Sequence, residues 1–165
     1  MLNLFSGRTK IAIFTIDEMM TSKFNTLFVD QKEQCEVTFF DDLEKFKEYL
    51  KSDYIHIAFC DIEEATESSK EISGQYYVRE LMELKMGTYF IYVSKKFSVM
   101  NLINFYRIGL GAALLQDSPI SDFRKELKIG IDRISSWKDR FEQMATDADM
   151  QEELLFMMGK NLDKL

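Results

Sequence analysis

An apolar run that stops on a carboxylate, Tyr54-Ile55-His56-Ile57-Ala58-Phe59-Cys60-Asp61, sets the first limit on the architecture. A run this short and this rich in β-formers reads as a strand buried on both faces, the centre of a parallel sheet. Asp61 then stands at the strand's carboxyl end. Open α/β sheets place their chemistry in the crevice beyond those ends, which makes Asp61 a candidate site residue.

The rest of the chain alternates in the way such a sheet requires. Lys10–Ile16 is a strand-like run ending on Asp17-Glu18, and Met20, Phe24, Leu27 and Phe28 follow with the spacing of an amphipathic helix. Cys35–Phe40 is a second strand, after which Asp41-Asp42 offers acceptors to the amides opening a helix of Leu43, Phe46 and Leu50. Beyond Asp61 the chain is acidic and hydroxyl-rich, through Glu63, Glu64 and Glu67, until Val78, Leu81 and Met82 mark a third helix that Gly87 is expected to close in a left-handed conformation. Tyr89–Val93 is a fourth buried strand ending on Ser94, followed by a helix of Val99, Leu102, Ile103 and Tyr106 punctuated by Gly109 and Gly111. Ala112–Leu115 is the fifth strand, and Ser118 and Pro119 precede a long helical segment. Five strands alternating with five helices predict an α/β, doubly wound parallel sheet with right-handed crossovers. The order of the strands is not contained in this pattern.

A chain of 165 residues, 46% hydrophobic, can bury one good core and is too short for two ordinary domains. The net charge of -7 argues against nucleic-acid binding and against an anionic membrane surface, because both depend on an excess of Lys and Arg. Protein partners or cations are expected instead. Cys35 and Cys60 lie in apolar strands and read as buried reduced thiols, which fits a reducing, cytoplasmic compartment. No apolar run reaches the roughly 18 residues of a membrane span, and residues 1–9 form a short leader without an apolar signal core. His56 lies inside the central strand and is assigned no chemistry. Thr15 and Ser22 suggest a phosphate loop, but no glycine lies between Arg8 and Gly74 to let backbone approach a nucleotide.

Three strand ends carry oxygen groups: Asp17-Glu18 after the first, Asp61 after the third and Ser94 after the fourth. Each carboxylate taken singly reads as a helix N-cap or a solvated loop residue. Together, on neighbouring first and third strands, they would meet in one crevice, where clustered carboxylates repel unless a cation joins them; oxygen-only ligands suit magnesium.

With these residues the segment from Lys10 to about Ser136 resembles a bacterial response-regulator receiver domain, a flavodoxin-like (βα)5 fold. The resemblance implies that Asp61 is the phosphoacceptor of a two-component phosphorelay, served by a histidine kinase. It also implies that Asp17 or Glu18 binds magnesium with Asp61, and that Ser94 is the switch hydroxyl. Gly111-Ala112 followed by Pro119 matches the family's Gly-Ala run into its Lys-Pro, with Ser118 in the place of the lysine. The family's spacing back from Asp61 puts the two acids on Ile16 and Asp17, and its aromatic switch falls on Leu115. The Ser118–Pro119 bond is expected to be cis, as the family's usually is.

The helical segment from Ser121 outruns the family's last helix. Phe123, Leu127, Ile131 and Ile134 suit the sheet, and Trp137, Phe141 and Met144 extend the stripe past a compact body. Asp149 and Glu152 have capping-box spacing before Leu154, Leu155, Met158, Leu162 and Leu165, of which Leu155, Met158, Leu162 and Leu165 repeat at 3-4-3 as a short coiled-coil-like seam. Residues 137–165 are therefore expected to form a C-terminal helical extension that either folds back or makes a homodimer. The reading is a divergent, non-enzymatic receiver domain serving as a signalling interaction module. A working magnesium-dependent phosphoacceptor, with Lys95 or Lys96 compensating for Ser118, is the alternative. A magnesium-dependent phosphatase with an aspartate nucleophile after the first strand ranks lowest, since Met19 holds the place of its proton donor.

Overall fold

The structure, a computed structural model, describes residues 7–63, 74–84, 87–144 and 156–157. Among the described residues ten elements alternate: β1 (Thr9–Phe14), α1 (Glu18–Phe28), β2 (Cys35–Phe40), α2 (Leu43–Ser52), β3 (Ile57–Asp61), α3 (Gly74–Leu84), β4 (Tyr89–Ser94), α4 (Val99–Arg107), β5 (Ala112–Leu115) and α5 (Ile120–Met144). The strands form one five-stranded sheet of order β2-β1-β3-β4-β5, parallel throughout. The expected doubly wound flavodoxin-like fold is present, with β1 beside β3.

Strand alternation sorts the core into two layers. Ile11, Ile13, Ile57, Phe59, Ile91 and Val93 face α1 and α5, meeting Phe24, Leu27, Phe123 and Leu127. Ala12, Phe14, Ala58, Cys60, Phe90 and Tyr92 face the other way, onto Phe46, Leu50, Val78, Leu81 and Phe105. Every residue of β3 and of β4 is buried, as central strands covered on both faces must be. Both cysteines are free and buried, and burial pushes the Cys60 thiol far up from its ordinary value. Neither is poised to react.

Helix starts follow their caps. Asp17 Oδ1 accepts from the Met19 and Met20 amides at 2.8 and 3.2 Å, and Asp42 Oδ1 does the same for Glu44 and Lys45 at 2.9 and 3.2 Å. Gly87 lacks the left-handed backbone expected of it; among the described residues only Gly7 and Gly109 have positive φ. Gly109 (φ 105°) closes α4 instead, where the Gly109 amide donates to Tyr106 O and the Leu110 amide to Phe105 O, the paired bonds of a Schellman end.

The Ser118–Pro119 bond is trans, against expectation. The turn is closed without a cis bond: the Ser118 amide donates to Leu115 O at 3.0 Å, and Pro119 O accepts from Asp122 N at 2.9 Å. Pro119 thus opens α5 directly, at a helix start where its missing N–H is harmless.

Helix α5 runs unbroken through position 137. Arg133 lies over the rings of Tyr89 and Trp137, with its guanidinium 5.6 and 4.8 Å from their centroids. Trp137, half-buried, lines a small cavity together with Tyr54, His56, Gly87, Tyr89 and Arg133. The side chains of Phe141 and Met144, together with Leu154 and the seam residues Leu155, Met158, Leu162 and Leu165, lie outside the described residues, as do Glu64 and Glu67. No helix among the described residues is long and apolar enough to cross a membrane.

Candidate functional site

The carboxyl ends of β1, β3, β4 and β5 converge on Asp61, a carboxylate only 5% exposed. The β1–β3 register ends with Phe14 opposite Cys60, so Thr15, the first residue past β1, is level with Asp61. Thr15 is buried, and its hydroxyl donates to Asp61 Oδ2 at 2.7 Å while accepting the Asp17 amide at 3.2 Å. From the other side, Gln116 Nε2 donates to Asp61 Oδ1 at 2.7 Å. Both oxygens of the carboxylate are therefore engaged by neutral side chains.

Gln116 is itself held at three points. Its amide donates to Ser94 O at 2.9 Å, its carbonyl accepts from Lys23 Nζ at 2.7 Å, and its side chain holds Asp61. Lys23, on α1, also donates to Ser118 O and lies 4.4 Å from the Phe123 ring centroid. Burial there pulls its ammonium below the usual lysine value. Its charge is delivered to loop carbonyls. Ser94, 1% exposed, ends β4 as expected. Ser118 contributes its backbone to the turn.

Burial pushes the Asp61 carboxyl above the ordinary aspartate range; its bonds to Gln116 and Thr15 oppose this, and the nearby charges of Asp17 and Glu63 add to it. A carboxyl raised on folding contributes stability that is fully present below its unfolded value, about 3.9, and lost as pH rises through the folded value. Asp61→Asn is thus expected to be more stable than the native chain at pH 7, on the order of 1 kcal/mol. Thermal melts from pH 3 to 8 will show it as a gap between the two chains that closes on acidification; a gap that widens instead would contradict the sign.

The expected metal ligands are not assembled. Asp17 spends Oδ1 on the cap of α1, and Glu18 is exposed in the first turn of that helix. Strand β1 ends at Phe14, and it is Thr15, not the acid pair, that stands level with Asp61. Among the described residues no three His, Cys, Asp or Glu side chains are grouped so as to hold a metal ion. The residues present do not fit a magnesium site of the kind the resemblance implies. Lys95, exposed beside Ser94, pairs with Glu63 Oε1 at 2.8 Å, and Asp17 and Asp61 also raise its pKa. His56 has a structural bond, its Nδ1 accepting the Lys10 amide at 2.9 Å.

Sequence reasoning missed Gln116 and weighed Thr15 only as part of a phosphate loop. Both follow from the rule that singled out Asp61 and Ser94: Gln116 is the first residue past β5, and Thr15 the first past β1. Counting back from Pro119 drew attention to Ser118 instead.

No protein-family model matches the chain, and no curated protein sequence matches it at a significant level. Solved structures do match. A CheY-like response regulator receiver domain protein from Methanospirillum hungatei superposes with a TM-score of 0.63 at 15% identity, covering 79% of this chain and 98% of its own. The signal receiver domain of a Luxo repressor protein from Vibrio parahaemolyticus gives 0.66 at 10% identity, covering 79% of this chain and 95% of its own. A structure described as adenylate cyclase from Rhodopirellula baltica gives 0.63 at 15% identity, with 85% and 99% covered. At such identities the likeness carries the fold: this chain has the fold of response-regulator receiver domains.

Proposed function

We propose that the chain is a divergent receiver domain that works in two-component-type signalling as a protein-interaction module, with Asp61 retained in the crevice but not turned over as a phosphoacceptor. The observation that carries this reading is the engagement of both Asp61 oxygens by Thr15 and Gln116. Phosphoryl transfer to Asp61 would have to break one of those bonds and place added negative charge beside Asp17 and Glu63, with Ser118 in the place where the family has its lysine.

The partners would be a histidine kinase or an output protein. Exposed apolar side chains on α4, Val99, Met100, Ile103 and Tyr106, offer them a surface. Residues 137–165 would serve as a second association segment, a homodimer contact included. The whole is a signalling part and not an enzyme. A phosphatase reading draws no support, because the nucleophile it needs, Asp17, is occupied as a helix cap.

The working-phosphoacceptor reading has one observation in its favour, the placement of Lys95 within the field of Asp17 and Asp61. Acetyl phosphate with magnesium separates the two. The intact mass of the full chain is expected to stay unmodified, or to be labelled in well under a tenth of molecules. Stoichiometric labelling that disappears in Asp61→Asn would overturn the idle-site reading and install Lys95 as the compensating cation.

A further inference from the structure

We infer that the Thr15–Asp61–Gln116 clasp takes the place of a divalent cation in this crevice, so that the arrangement of α1, β3 and the β5–α5 turn around Asp61 is set without metal. The inference rests on the interaction-module reading and states how its site is regulated: by no ion.

The argument is one of charge and of donors. A cation is required where several carboxylates share a small volume, since each raises the cost of ionising the others. Here, among the described residues, the buried carboxylate is a single one, level with a threonine in the β1–β3 register. One carboxylate needs donors, and it has them at 2.7 Å on each oxygen. Asp17, the acid nearest in the chain, is turned to the α1 amides, which already supply it with two donors. A magnesium ion entering would have to compete with Thr15 and Gln116 for the Asp61 oxygens, and would find, among the described residues, too few grouped carboxylates in return for the waters it sheds reluctantly.

The clasp also does the mechanical work of a bridging ion. Thr15 joins Asp61 to the Asp17 amide at the head of α1, and Gln116 joins it to Ser94 O and, through its own carbonyl, to Lys23 farther along α1. The circuit closes on the helix where it began, so α1 and the β5–α5 turn are fixed to Asp61 from both sides. Lys23 and Gln116 are positioning residues in this circuit. The surface they hold is presented constantly, independent of cation supply.

Thermal melting of the full chain, in 10 mM magnesium chloride and in sodium chloride of matched ionic strength, is the test. Equal melting temperatures are expected for the native chain. Thr15→Asp sets a second carboxylate level with Asp61; it should lose stability in sodium and regain a few °C in magnesium, the shift expected when a ligand at several times its Kd binds only the folded state. A magnesium-specific rise in the native chain that is absent from Asp61→Asn would overturn the inference. So would a folded Thr15→Asp chain that stays indifferent to magnesium, since Thr15 would then not be what excludes the ion. Should that variant not fold, Mn2+ added to the native chain decides: no selective NMR broadening of the Thr15, Asp61 and Ile62 amides is expected, and saturable broadening there would overturn it. Because these readouts follow a cation and not association or labelling, their failure is separate from failure of the functional reading.

Discussion

Phe24→Ala will remove about 3–5 kcal/mol of stability from the α1–α5 layer. Phe24 is fully buried on α1, with its ring centroid 5.1 Å from that of Phe59 on β3 and 5.9 Å from that of Phe123 on α5, both edge-on. One side chain thus joins the helix that carries Lys23, the strand that carries Asp61 and the helix that follows the Gln116 turn. Its removal leaves a cavity walled by two aromatic rings already in contact with other neighbours, Phe28 on one side and Lys23 on the other, so collapse is restricted. For a chain of this size the loss corresponds to a fall in melting temperature of roughly 6–20 °C. Denaturant titration measures it directly: a loss under 1 kcal/mol would mean that α1 is not tied to the sheet through this ring, and with it would go the rigid attachment of the circuit around Asp61.

How much of this was legible in the sequence divides along a physical line. Strands such as Ala112–Leu115 and Cys35–Phe40 announce themselves because period and composition are local properties, and the cap at Asp42 because a side-chain acceptor two or three residues before an amide is a local geometry. Strand order was not legible, since parallel neighbours are joined through crossovers that carry no order in their own composition. Gly87 was misread because a glycine after a helix is only permitted, not compelled, to turn left-handed; the chain makes that turn at Gly109, where the bonds of α4 require it.

The site was legible in part. Asp61 and Ser94 stand where the strand-end rule put them, at the last positions of β3 and β4. The acid pair Asp17-Glu18 was drawn into the crevice because a carboxylate near a strand end has two competing uses, ligand and helix cap, and sequence spacing does not distinguish them until the strand's last residue is known. Strand β1 ends at Phe14, and the cap prevailed. The role of the neutral donors Thr15 and Gln116 was not legible because only their partner gives them meaning: a threonine and a glutamine are unremarkable until a buried carboxylate is found between them.

Gly111→Ala, the addition of a single methyl group, is expected to destabilise the chain by about 3 kcal/mol, the upper end of what overpacking ordinarily does. A Cβ built at Gly111 would stand 2.5, 2.7 and 2.8 Å from three atoms of the Tyr89 ring, closer than such contacts are ever found. The glycine is required here by this close approach, since its φ is not positive. Tyr89 cannot step aside, because its hydroxyl lies 3.2 Å from both Gly111 O and Glu126 Oε2, and its burial together with the Glu126 carboxylate pushes the phenol up to about 12, leaving it protonated as a donor. Gly130 on α5 closes the ring in from the far side, for a Cβ there would stand 3.0 Å from Tyr89 Cδ1 and 2.9 Å from Ile57 Cδ1. The strain must then fall on the backbone of β5, which pairs with β4 from Ile91–Ala112 to Ser94–Leu115, and so on Gln116 at its end. The same variant should therefore loosen the bond between Gln116 and Asp61, seen as faster exchange of the Gln116 amide hydrogen that Ser94 O protects. A double-mutant cycle separates steric strain from any general weakness of the strand: in a Tyr89→Leu background most of the Gly111→Ala loss should vanish. A loss that persists undiminished there would refute the ring contact as its cause and leave Gln116 held independently of how β5 is seated.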